Sequence, residues 1–217
     1  MVQYSDFDRI IEAQDNFKNR AGLKSQTSRI KFKKNKLLIG TMCVLLSLLA
    51  VNTFGQPTTN EYAKLEVIDC PQSFAELLKK FEDRVVFISF MATWCRPCIA
   101  ALKETKKLES YFKENNIVKL FISMDFRIEA IDNAIKIIQN DSLSGYFVSW
   151  LPKNELCTSS FQQDISNLFF KSEDGKIHIS IPRYAIVNRK GELVEQGLES
   201  LRPSNPTSLK KQLKKHL

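Results

Sequence analysis

Glycine is scarce, with seven residues in 217. They do not cluster into a loop able to cradle a phosphate. Histidine occurs twice, and only two of the five cysteines stand close together. A four-ligand zinc site needs a second pair. The remaining candidates, Cys70, Cys157, His178 and His216, form no paired knuckle, so no metal is expected. No internal repeat divides the sequence. Long apolar runs are also missing: Leu37–Val51 covers about 22 Å as a helix, and extension to Gly55 reaches about 28 Å, against roughly 30 Å of bilayer hydrocarbon.

The net charge is +8. Residues 1–55 carry nine Lys/Arg against four Asp/Glu, and residues 56–217 carry twenty-three against twenty. The basicity therefore belongs mainly to the N-terminus. With no base-stacking module to accompany it, it does not call for nucleic acid. The basic stretch Arg29–Lys36, the apolar core from Leu37 and the small residues Thr53 and Gly55 follow the form of a secretory signal. Cleavage after Gly55 is the expectation, and retention of 37–55 as a membrane anchor is the alternative. The basic flank puts residues 56–217 outside the cytoplasm in either case. The long stretch before it is either a cytoplasmic tail or a start codon placed too early. The expected organisation is a basic extension over 1–36, a signal core or anchor over 37–55, a linker over 56–60 and one domain over 61–217.

Within that domain the apolar run Val85–Phe90 leads into Trp94-Cys95-Arg96-Pro97-Cys98 and then a helical pattern. A strand-to-helix junction places the first sulfur at a helix N-terminus, where free amides and the helix dipole favour a thiolate. The thiolate is the form that attacks disulfides. Arg96 adds positive charge beside Cys95, and Pro97 suits a first helical turn.

The rest of the pattern alternates strands and helices. Leu65–Ile68 reads as a short strand. Phe74, Leu77, Leu78 and Phe81 stripe a helix, with Ser73 as N-cap and Glu76 three residues on. Ile117–Asp125 is a second buried strand, and Ile128, Ile131, Ile135 and Ile138 stripe another helix. Gly145–Ser149 reads as a strand, 151–163 as a loop, and Ile165, Leu168 and Phe169 as a short helix. Ile177–Val187 is extended, interrupted by Pro182, which belongs at a strand start because it cannot donate to a ladder. Arg189–Glu192 turns the chain into a hairpin with Leu193–Gly197, and Leu209, Leu213 and Leu217 mark a terminal helix. This order implies an α/β domain whose mixed sheet is flanked by helices on both faces.

The segment Phe90–Cys98, the Ile-Pro-Arg-Tyr from Ile181 and the turn Asn188–Glu192 resemble the thioredoxin superfamily, and most closely its TlpA/ResA-like branch. The resemblance covers roughly residues 61–217 and implies a thioredoxin fold. It also implies that Pro182 is cis beside the dithiol and that Ile181 pairs with an extended substrate. By the same resemblance Cys95 is the exposed nucleophile, the more buried Cys98 resolves the mixed disulfide, and Trp94 packs beside them. Two departures stand out. The superfamily often has a buried acid where this chain has Ser89, and the branch often has Glu and Pro where this chain has Ala101 and Lys103.

The resulting expectation is an exported thiol-disulfide oxidoreductase, without bound cofactor, that acts on protein thiols and disulfides. The resemblance favours a reductase fed by a membrane electron donor. A redox-inert peptide-binding module and a thiol peroxidase are the alternatives. Cys70 and Cys157 are either a second disulfide or two small buried side chains. His178 reads as an ordinary strand histidine and Tyr184 as core.

Overall fold

A computed structural model describes residues 64–152, 159–197 and 199–217. The basic extension, the 37–55 segment, the 56–60 linker and Cys157 lie outside the described residues. Among those described, no helix is long and apolar enough to cross a membrane.

The two apolar runs occupy the centre of a six-stranded sheet. β2 (Val86–Met91) and β3 (Val118–Ser123) are buried along their whole length and pair in parallel. Burial on both faces is what a continuous apolar strand requires. β4 (Gly145–Ser149) lies between β3 and β1 (Leu65–Ile68), parallel to both. On the other side β5 (Arg183–Val187) runs antiparallel to β2, and β6 (Leu193–Gln196) closes the hairpin. The order is β1-β4-β3-β2-β5-β6. Gly145 has φ +133°, and a Cβ there would stand 2.6 Å from the Lys119 carbonyl oxygen, so β4 can enter the sheet only on glycine.

Helices cover both faces. α1 (Phe74–Lys79) begins at Ser73, whose hydroxyl accepts the Glu76 N–H at 3.0 Å. α2 (Arg96–Lys106) and α3 (Glu109–Glu114) divide what the sequence suggests is one helix. α4 (Ile128–Asn140) buries Ile131, Ala134 and Ile138. The expected stripe fails at its first member: Ile128 opens the helix and is 52% exposed. α5 (Phe161–Ile165) runs into a π-turn, Ser166–Phe170, so part of the expected loop is helical. α6 (Pro206–Lys214) buries Leu209 and Leu213 as its spacing predicts.

On one face Phe112, Phe87 and Tyr184 stack with centroids 5.5 and 5.8 Å apart, above Leu209 and Leu213. On the other, Phe90 packs against Phe169 and Phe170. The extended stretch from Ile177 is strand only from Arg183 onward. Ile177 makes an isolated bridge to Lys171, and the His178 N–H donates to the Phe170 carbonyl. Pro182 thus immediately precedes β5, where a residue without a donor is tolerated.

Candidate active site

The Ala92–Cys95 turn joins the end of β2 to α2. Cys95 is the N-cap of α2, and its Sγ accepts the Cys98 N–H at 3.3 Å. Arg96 and Pro97 form the exposed first turn. Cys95 and Cys98 are joined in a disulfide, with Cα atoms 5.2 Å apart. Both are covered, Cys95 at 4% and Cys98 at 2% exposure. The exposed Cys95 expected from the resemblance is therefore not found in the oxidised form, where its sulfur caps the first turn of α2.

The Ile181–Pro182 peptide is cis. Arg183 is in register with Phe90, so Pro182 and Ile181 continue along the end of β2 that leads to Cys95. Both are partly exposed. Trp94 is half-exposed, and its ring lies parallel to Phe126 at 6.0 Å. Phe126 in turn meets Trp150 edge-on at 5.8 Å.

Asp125 is a member of this site that pattern reading of the sequence missed. It is buried just beyond β3. Its carboxylate accepts the Thr93 N–H at 3.0 Å, the Thr93 hydroxyl at 2.6 Å and the Ser123 hydroxyl at 2.7 Å. The Trp150 indole N–H donates to the Asp125 carbonyl at 3.0 Å. Ser89 is buried in β2 between Phe121 and Tyr184. Glu104, the acid near the vacant branch position, is turned to Lys107 at 2.8 Å. Asp125 is thus the carboxylate hydrogen-bonded to the dithiol loop.

The sequence profile of the Redoxin family matches residues 71–213. The chain belongs to the Redoxin family, within the thioredoxin superfamily. ResA thiol-disulfide oxidoreductases of Bacillus thuringiensis and Bacillus cereus are each 27% identical over 113 residues, covering 48% of this chain and 65% of theirs. The redoxin chain thus spans just under two thirds of the length of these relatives. Similar solved structures include a thiol-disulfide oxidoreductase of Bacteroides fragilis (25% identity, TM-score 0.41, 64% of this chain and 85% of that one). A thiol:disulfide interchange protein of a Bacteroides species matches at 18% identity, TM-score 0.43, over 64% and 76%.

Of the expected site residues of this redoxin, the fold gathers Trp94, Cys95, Arg96, Pro97, Cys98, Ile181 and Pro182 at one end of the sheet. Cys70, at positive φ between β1 and α1, is disulfide-bonded. Cys157, its candidate partner, lies outside the described residues. Tyr184 is core, as its pattern suggests: burial pushes its phenol up to about 12. Among the described residues no group of His, Cys, Asp and Glu could hold a metal ion.

Proposed function

We propose that this redoxin is a thiol-disulfide oxidoreductase that reduces disulfides of polypeptides outside the cytoplasm. The observation that carries the reading is Cys95 at the N-cap of α2, with its sulfur on the Cys98 amide and bonded to Cys98. In the reduced protein the same amide and the α2 dipole favour the Cys95 thiolate. That thiolate attacks one sulfur of a substrate disulfide. A bond forms between Cys95 and that sulfur, and the other substrate sulfur leaves as a thiolate that takes a proton from water. The Cys98 thiolate then attacks the Cys95 sulfur, closes the Cys95–Cys98 disulfide and releases the second substrate thiol. The substrate gains two electrons and two protons, and the protein loses them. A dithiol donor, at the membrane in this reading, restores the reduced pair.

Arg96 assists the thiolate from the exposed first turn. Ile181 and Pro182 receive the substrate backbone by β-pairing. The named activity of the ResA relatives supports the reading. A Cys98→Ala variant, unable to resolve, is expected to accumulate a mixed disulfide with a peptide disulfide, and Cys95→Ser none. Full insulin-reducing activity in Cys95→Ser would overturn the nucleophile assignment. A reduction potential near −270 mV would support a reductase, and one near −120 mV an oxidant.

A further inference from the structure

Arg183 follows Pro182 directly and pairs in register with Phe90 at the dithiol end of the sheet. Its guanidinium carbon lies 5.5 Å from the centre of the Phe170 ring. Its Nε is buried without a hydrogen-bond acceptor. Gly197, at φ +66°, also adjoins the guanidinium; a Cβ there would come within 3.3 Å of Nη2. The carboxylates on the adjoining strand and turn are directed elsewhere. Glu195 faces Lys215 at 3.6 Å and His216 at 3.7 Å, and Glu199 binds Arg202 at 2.8 Å. Among the described residues no carboxylate pairs with Arg183, which is thus a partly desolvated cation, a costly arrangement unless a partner arrives. Burial also holds its pKa below the usual value.

We propose that Arg183 is the specificity-determining residue of the dithiol site and binds a carboxylate that the substrate polypeptide carries next to its disulfide. This rests on the thiol–disulfide reading above. An extended substrate laid along Ile181 and Pro182 sends alternate side chains to opposite faces. Those on the Phe90 face run towards the Arg183 guanidinium, whose planar fork matches a carboxylate in a way an ammonium does not. Phe170 lies against that fork, and Gly197 leaves it room. Arg96 also bears a cation near Cys95, but it lies in the open first turn of α2, where solvent screens its interactions.

The test uses the full chain and three sets of peptide disulfides that differ only in Glu, Gln or Lys at the positions flanking the cysteine. For the wild type, kcat/KM is expected to fall about tenfold from Glu to Gln at one of those positions, and further for Lys. Arg183→Gln is expected to bring the Glu/Gln ratio close to one, Arg183→Lys to keep a reduced preference of the same sign, and Arg96→Gln to preserve it. Equal rates for the three wild-type peptides would overturn the proposal without touching the dithiol chemistry. So would a preference that survives in Arg183→Gln and disappears in Arg96→Gln. If Arg183→Gln does not fold, the wild-type series and Arg183→Lys decide the matter. Failure of the wild type to reduce any of the peptides would instead strike the underlying reading, and this proposal with it.

Discussion

Asp125 grips Thr93 by both its amide and its hydroxyl, two residues before Cys95 and across thirty-two positions of sequence. With Ser123 as a third donor, the buried carboxylate fixes the start of the dithiol turn to the end of β3. Through Phe126, the next residue, the same segment also meets Trp94. The loop is therefore held from β3 as well as from its own helix.

Removing this acceptor should loosen the turn. Hydrogen bonds to a charged group contribute about 1.5–3 kcal/mol each, and orphaned donors add a penalty. Asp125→Ala is expected to lower stability by roughly 3 kcal/mol and to slow disulfide exchange about tenfold, a change of about 1.4 kcal/mol in barrier. Asp125→Asn, which keeps one oxygen for the Thr93 amide, should recover most of both. Urea unfolding and insulin-reduction kinetics measure the two effects. Asp125→Ala with unchanged kinetics would show that the grip on Thr93 is irrelevant to the dithiol.

The pattern that sets the fold is local, and that is why much of it can be read from the sequence. Val85–Phe90 and Ile117–Ser123 are apolar apart from Ser89, Lys119 and Ser123, so their central position follows largely from burial. Pro182 within a sheet belongs at an edge or a strand start, and the Asn188–Glu192 turn points to a hairpin. The grip of Asp125 on Thr93 leaves no such trace, because neither residue is unusual within its own segment. The pairing of β4 between β1 and β3 depends on Gly145 meeting Lys119, a contact between elements. Ile128 matches the α4 stripe in spacing but starts the helix, so it has no preceding turn to bury it. Arg183 sits inside the Ile-Pro-Arg-Tyr segment, yet that no carboxylate among the described residues pairs with it is visible only once Glu195 and Glu199 are seen to pair elsewhere.

Tyr184 links the core to alkaline pH. Its phenol has a folded pKa of about 12, raised by burial, against a model-peptide value of 10.0. The folded protein therefore keeps this proton where the unfolded chain loses it. The contribution is complete below pH 10 and is lost as pH rises from 10 towards 12, by about 3 kcal/mol in all. Lys119 acts in the opposite sense: desolvation lowers its pKa despite Glu109, so its titration favours the fold as pH rises towards its unfolded value. The difference between wild type and Tyr184→Phe isolates the tyrosine. That difference should be nearly flat from pH 7 to 9.5 and then move in favour of Tyr184→Phe. Parallel stability curves up to pH 12 would contradict the buried-phenol assignment.

Lys119 is nearly fully buried in β3, with its ammonium on Glu109 and, at 3.0 Å, on the Ser144 hydroxyl. The Phe112 ring centre is 5.7 Å away. This pairing ties α3 to β3 and to the entry of β4. Glu109→Ala leaves the cation buried without its acid and is expected to cost on the order of 3 kcal/mol in urea unfolding. Glu109→Ala combined with Lys119→Met should recover most of that loss, since an apolar side chain has no charge to desolvate. A double variant no more stable than Glu109→Ala would mean that packing, rather than the lone charge, sets the cost.

Cys70 is disulfide-bonded and stands between β1 and α1, and Cys157 is the candidate partner to test. Such a bond would join the start of the domain to the segment leading into α5. A loop of that length carries about 4.6 kcal/mol in the chain-entropy account of cross-linking, independent of the Cys95–Cys98 exchange. Digestion of the unreduced protein is expected to yield one linked peptide pair containing Cys70 and Cys157. Replacing both by serine should lower the unfolding free energy by about 2–5 kcal/mol while leaving the Cys95–Cys98 potential in place. Alkylation of Cys157 in the unreduced protein would refute the pairing.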